Sequence, residues 1–247
     1  MQIILNGCNG QMGHAVAAAA KRDGHSVVAG VDIAPGDGDF TVYSRWEDIP
    51  EAGDVIIDFS TPAALEAELA FAKARRLPVV VATTGLSEAQ VAMLTEAAGE
   101  IPVFFSSNMS LGVALLNALA TKAASVLGDA FDVEILEMHH NNKVDAPSGT
   151  ALTLAKSVEA GLNYTPDYVY DRHDRRQKRD PHEIGISSIR GGSIVGEHQV
   201  LFAGQNETVI LTHRADSRDI FAVGALKAGA FLTKQTPGMY SMEDLLK

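Results

Sequence analysis

Between residues 3 and 105, five apolar runs of strand length alternate with segments of helical length, and no other feature limits the possible folds as strongly. The runs are 3–5 (IIL), 26–31 (SVVAGV), 54–59 (DVIIDF), 78–81 (PVVV) and 102–105 (PVFF). Strands that are apolar almost throughout, rather than at every second residue, are buried on both faces. That requires a parallel sheet with helices above and below it. The connecting segments supply the helices. Residues 11–21 are alanine-rich, and Thr61-Pro62 opens a helix through Arg76 with proline at a position helices favour. Ser87 caps a further helix through Gly99, with Glu88 suited to the positive end of its dipole.

The pattern changes after Ser107. Residues 111–127 read as a long apolar helix, and 131–138 (FDVEILEM) alternate as a half-buried strand does. Residues 151–160 read as helix; 184–190, 193–202 and 207–213 read as three strands joined by glycine-rich turns. Residues 219–233 form an Ala/Gly-rich helix, ended by Pro237-Gly238. The expected fold is therefore α/β: a Rossmann-type parallel-sheet domain over residues 1–108, then an α+β domain with a mixed sheet over 109–218. On pattern alone, the last helix could cover either domain.

Apolar residues make up 46% of the 247, which can supply a sizeable core. The apolar stretches read as strand-length, short of the roughly 20 residues that span a bilayer. The opening MQIILNGCNG lacks a basic segment before its apolar run, so a first strand is expected rather than a signal peptide. A single cysteine, Cys8, excludes an internal disulfide and fits a reducing, cytoplasmic setting. The net charge of −11 argues against a nucleic-acid binder, which needs a basic face. Residues 171–180 (DRHDRRQKRD) depart from that balance with five basic and three acidic residues. They read first as a solvated surface loop; the sharper reading is a basic rim steering a small anion toward a nearby cleft.

Two segments carry chemistry. Residues 7–13 read GCNGQMG, a glycine loop between the first strand and the first helix. Glycines there permit a tight turn and bring pyrophosphate close to backbone N–H groups at a helix start. Asp32, ending the second strand, suits the adenosine ribose hydroxyls and repels a 2′-phosphate, and Ile33 and Ala34, not an arginine, come directly after it. Thr83-Thr84-Gly85 and Ser106-Ser107-Asn108 follow the fourth and fifth strands, where α/β sheets bind ligands.

The second segment, 139–150, reads HHNNKVDAPSGT. His139 and His140, adjacent in a strand, point to opposite faces and chelate one metal poorly; with no third ligand at suitable spacing, no metal site is expected. Lys143 can attract a carboxylate or deliver a proton. Ser148, Gly149 and Thr150 open a helix whose N–H groups and dipole suit a carboxylate, and Pro147 blocks earlier extension. Cys8 lies in the glycine loop, away from any acyl-enzyme role.

These residues resemble the dihydrodipicolinate (4-hydroxy-tetrahydrodipicolinate) reductase family of lysine and diaminopimelate biosynthesis. EMHHNNKVDAPSGTA at 137–151 matches the family signature, supported by GCNGQMG, ATTG at 82–85, SSNMSLGV at 106–113 and IRGGSIVGEH at 189–198. The resemblance spans essentially the whole chain. It implies His139 and Lys143 as the proton-donating pair, and His140, Gly149 and Thr150 as substrate contacts, beside Ser148 and Lys143. It implies cofactor contacts, for NADH or NADPH, at Gly7, Cys8, Asn9, Gly10, Gln11, Met12, Asp32, Ala82, Thr83, Thr84, Ser106, Ser107, Asn108 and Met109. It also implies that residues 219–247 complete the dinucleotide domain, and that a homotetramer forms through the sheets of the substrate domain. Three positions depart from the family pattern: Gln11 stands where many members have arginine, Ala82 where they have glycine, and Met109 where phenylalanine is common. A dehydrogenase of hydroxy or amino acids on the same fold is the rival reading, and a redox-sensing NAD-binding protein a third.

Overall fold

A computed structural model of the chain describes residues 1–36 and 39–247. In chain order come β1 (Gln2–Asn6), α1 (Gln11–Arg22), β2 (Ser26–Val31), β3 (Thr41–Tyr43), β4 (Val55–Asp58) and α2 (Leu65–Arg75). Next are β5 (Val79–Val81), α3 (Glu88–Ala97), β6 (Pro102–Phe105), α4 (Leu111–Leu127), β7 (Asp132–His139) and α5 (Gly149–Glu159). The chain finishes with β8 (Asp167–Val169), β9 (Glu183–Arg190), β10 (Gly196–Gly204), β11 (Glu207–Ala215), α6 (Asp219–Leu232) and β12 (Gly238–Tyr240). These elements form two compact units, Met1–Leu111 with Arg218–Lys247, and Gly112–Ser217.

In the first unit the five apolar runs, with β3 and β12, make a seven-stranded Rossmann-type sheet in the order β12-β6-β5-β4-β1-β2-β3, all parallel. Both faces are buried. Ile4, Ile56, Val79, Val81 and Val103 pack under Leu65, Leu69 and Ala72 of α2 and Leu94 and Ala97 of α3. Ile3, Leu5, Val55 and Ile57 are equally inaccessible, and Gly229 of α6 lies close to Val55 and Ile57. The order reverses around β1, which lies between β2 and β4. In such sheets ligands bind beyond the carboxyl ends at that point.

Local chemistry sets the helix ends. Ser87 caps α3 through a reciprocal box with Gln90, its Oγ accepting the Gln90 N–H at 3.3 Å. The expected single helix over 61–76 divides: Pro62–Ala64 is a 3-10 turn, α2 starts at Leu65, and Arg76 closes it in the left-handed region at φ 53°.

In the second unit five strands form a mixed sheet, β11-β10-β7-β9-β8, with β10 antiparallel to both neighbours and β7, β9 and β8 mutually parallel. Leu116, Ala120 and Ala124 of α4 and Ala151, Leu154, Ala155 and Val158 of α5 cover one face, against Val133, Ile135, Ile184, Ile186, Val200 and Phe202. The opposite face presents half-buried Leu136, Met138 and Leu201 with exposed Ile189 and Ile210.

Two sequence expectations need correction in this unit. Residues Leu111–Ala130, with a mean hydropathy of 1.5, are long and apolar enough by length and composition to cross a membrane, contrary to the reading that apolar stretches are only strand-length. One face of this helix is nevertheless core. The basic segment at 171–180 is not a free rim. Arg179 binds Asp132 at 2.8 Å and Glu134 at 3.1 Å, Arg172 binds Glu134 at 2.8 Å, and Arg175 binds Glu183 at 2.5 Å. Arg172, Arg175 and Arg179 are thus engaged at the starts of β7 and β9, and the start of β7 lies about 23 Å along that strand from His139 at 3.3 Å per residue.

Candidate active site

Backbone geometry makes the glycine loop a cradle. Gly7 sits at φ +73°, its N–H donating to the Val31 carbonyl at 2.9 Å, and a Cβ there would stand 2.7 Å from the Phe59 carbonyl oxygen. A Cβ on Gly13 would collide with the carbonyls of Gly7 and Cys8, so only glycine lets α1 press this closely against the loop. Gly10 is the N-cap of α1 and offers no side-chain cap, leaving the helix start at Gln11 and Met12 open to an anion. Arg218 donates to the Gln11 side chain at 2.6 Å. Asp32 anchors the loop from below, its Oδ2 accepting the Asn9 N–H at 3.0 Å. Burial, and then the nearby Asp32, push the Cys8 thiol up to about 11, so it stays protonated.

Parallel register gathers the other predicted residues along the same sheet edge. Asn6 is level with Val31 and Asp58, Asp58 with Val81, and Val81 with Phe105. Gly7, Asp32, Ala82 and Ser106 each follow one of those strands. Ala82 and Met109 are buried, and Thr84 is exposed. Ser106 closes a turn in which its Oγ accepts the Asn108 N–H at 3.2 Å and donates to the Asn108 carbonyl at 2.8 Å. Ser107 lies within that turn. Thr83 is buried and donates to Asp58 Oδ2 at 2.7 Å. Sequence reasoning passed over Asp58 and its neighbour Glu68, which accepts from Asn6 at 3.0 Å. Burial drives both carboxyls up, Glu68 far above the usual carboxylate range with Asp58 adding to it; Ser60, Thr83 and Asn6 pull Asp58 partly back.

In the second unit the alternation of β7 places Glu137 and His139 on the face that carries Val133 and Ile135. His140 lies just past the strand end and is half-buried. The chain then turns, with the Lys143 N–H donating to the His140 carbonyl at 3.2 Å and the Lys143 ammonium on Asp145 at 2.9 Å. The Gly191-Gly192 turn braces it, Gly191 N–H donating to the His139 carbonyl at 2.9 Å. Gly149 and Thr150 begin α5, exposed and half-buried respectively, behind the N-cap Ser148, whose Oγ accepts the Ala151 N–H at 3.2 Å. Ser148 is itself buried, its N–H donating to Glu137 at 3.2 Å and its hydroxyl 3.0 Å from His198 Nε2.

Glu137, with no exposed surface, collects these groups. His139 Nδ1 stands 2.6 Å from Oε2, and Arg190 reaches both oxygens at 2.9 and 2.7 Å. Burial alone would raise this carboxyl; hydrogen bonds from Arg190, Ser188 and His139 override it and hold it at about 2. Burial lowers His139, Glu137 opposes that, and Lys143 and Arg190 reinforce it. His198, edge-on to His139 with ring centres 5.1 Å apart, is pushed down to about 4 by burial and then by His139. Glu137, Arg190 and His198 lie inside the two matched motifs, yet sequence reasoning gave them no role. The available signal was a carboxylate on the apolar face of an alternating strand, which requires a buried partner.

The chain matches the family description "Dihydrodipicolinate reductase, N-terminus" over residues 1–109 and "Dihydrodipicolinate reductase, C-terminus" over 112–246. It is 50% identical over 248 residues to the 4-hydroxy-tetrahydrodipicolinate reductase of Caldanaerobacter subterraneus subsp. tengcongensis, covering 100% of this chain and 98% of that protein. It is 42% identical to the protein of the same name from Clostridium botulinum (strain Eklund 17B / Type B), with the same coverage. The solved dipicolinate-bound dihydrodipicolinate reductase of Paenisporosarcina sp. TG-14 shares the fold with a TM-score of 0.82 over 99% of each chain, at 23% identity. Fold and relatives together define an NAD(P)H-dependent oxidoreductase. The chain belongs to the dihydrodipicolinate reductase family.

Proposed function

We propose that this enzyme reduces 4-hydroxy-tetrahydrodipicolinate to tetrahydrodipicolinate in lysine and diaminopimelate biosynthesis. The observation that carries the reading is the placement of His139, Lys143 and the Ser148-capped start of α5 within one segment of one unit. The first unit, with residues 1–108 and 219–247, binds the dinucleotide, and 109–218 bind substrate. Its glycine cradle, the uncapped start of α1 and the carboxylate of Asp32 fit pyrophosphate and ribose. The ATTG and SSNM turns, at Ala82, Thr83, Thr84, Ser106, Ser107, Asn108 and Met109, line its nicotinamide end.

Bound in the first unit, a nicotinamide would supply the hydride. The cyclic imine dicarboxylate loses its 4-hydroxyl as water, hydride adds in conjugation with the imine, and the resulting enamine takes one proton. His139 and Lys143 deliver that proton and offset the negative charge that develops. Lys143, His140 and the N–H groups of Gly149 and Thr150 hold the substrate carboxylates, and Ser148 shapes that cradle from behind. The outer face of the mixed sheet, where half-buried Leu136 and Leu201 lie beside exposed Ile189 and Ile210, supports a homotetramer. A cytoplasmic enzyme with no nucleic-acid or membrane partner fits the net charge of −11 and the single cysteine.

The test is His139→Gln and Lys143→Ala. Each lowers turnover about a hundredfold, the scale of a lost general acid, while NADH affinity stays close to that of the unaltered enzyme. Near-normal turnover in both variants removes these residues from the mechanism.

A further inference from the structure

We propose that Glu137 is the positioning residue of this site: through one oxygen it fixes the His139 ring, and through the other it fixes the start of α5. The inference rests on the proposed role of His139 and of that helix start. Oε2 meets His139 Nδ1 at 2.6 Å, Oε1 accepts the Ser148 N–H at 3.2 Å, and Arg190 clamps both. An ionised carboxylate only accepts hydrogen bonds, so Nδ1 keeps its proton toward Glu137 in both ring states; Nε2 is the working atom, donating its proton from the imidazolium and left with a lone pair in the neutral ring. Gly196 keeps the approach to Nε2 clear, since a Cβ there would lie 3.1 Å from it. One buried group thus sets the tautomer of the acid and the seat of the substrate carboxylate together.

The charge of Glu137 has a second consequence. The charged or titratable groups facing His139 are Glu137 on its own strand, Lys143 on the following loop, Arg190 on β9 and His198 on β10. Glu137 is the anion among them and favours the imidazolium, which burial, Lys143 and Arg190 oppose. Neutralising it lowers the pH at which His139 loses its proton.

Histidine-selective ¹⁵N NMR on the unaltered full chain tests the tautomer without needing activity. At a pH where the His139 ring is neutral, the proposal expects its single proton on Nδ1; a neutral ring with its proton on Nε2 overturns it. In Glu137→Gln, turnover falls about tenfold or more, and the pH above which it declines moves down, while NADH affinity holds. A uniform loss with that pH unmoved assigns Glu137 a merely structural role and overturns the proposal. Should Glu137→Gln fail to fold, Glu137→Asp keeps the charge but shortens its reach: turnover falls while the pH of decline stays near that of the unaltered enzyme. His139→Gln separates the two readings, since unchanged turnover there removes the acid while the NMR result still judges the positioning.

Discussion

Glu68 has no exposed surface and one hydrogen-bond partner in Asn6, beside a second buried carboxyl at Asp58. Its carboxyl is raised well above that of the unfolded chain, so the folded protein keeps a proton that the unfolded chain releases above about pH 4.3. Such a group stabilises fully below the unfolded value, and the contribution is lost as pH rises toward the folded one. Glu68→Gln is therefore expected to gain stability relative to the unaltered protein as pH rises from 5 to 8, as followed by thermal unfolding. A difference that stays flat with pH would show that Glu68 is ionised in the fold. At this scale the sequence was legible where residues act as neighbours: His139, Lys143 and the Ser148–Thr150 turn all fall within one stretch. It was silent where partners are distant. Arg190 meets Glu137 from 53 residues away and His198 meets Ser148 from 50, pairings that only the sheet register creates.

Among the elements, α1 shows how a glycine is required by contact. A methyl group on Gly13 would strike the carbonyls of Gly7 and Cys8, and neither can rotate aside as a side chain could. Gly13→Ala is expected to cost about 1–3 kcal/mol of stability, the range for overpacking, and to weaken NADH binding by shifting α1 from its loop. Denaturant unfolding and fluorescence titration measure the two effects; a variant normal in both would mean that α1 tolerates displacement. The long elements were legible because burial on both faces, or on one, leaves a period in the sequence. β3, β8 and β12 were not: three residues are too few to show a period, and β12 follows the Pro237 that reads as a stop. Its place comes instead from pairing with the edge of β6.

At the scale of the whole molecule, composition and structure answer different questions. The basic segment at 171–180 stood out by charge, yet Arg172, Arg175 and Arg179 are absorbed by Asp132, Glu134 and Glu183, carboxylates contributed by β7 and β9. Charge along the chain carries no information about which carboxylates lie opposite. The apolar face of the mixed sheet was equally hidden, because alternation predicts two faces without saying what covers the second. If that face joins subunits, Leu201→Arg with Ile210→Lys gives a smaller species by light scattering and keeps NADH binding; an unchanged mass would place the interface elsewhere. The most direct test of the account is the reaction itself. Substrate generated by the upstream synthase is added with NADH or NADPH, and nicotinamide absorbance is followed. The account predicts that absorbance falls with at least one cofactor, in proportion to substrate supplied; no oxidation of either would contradict it.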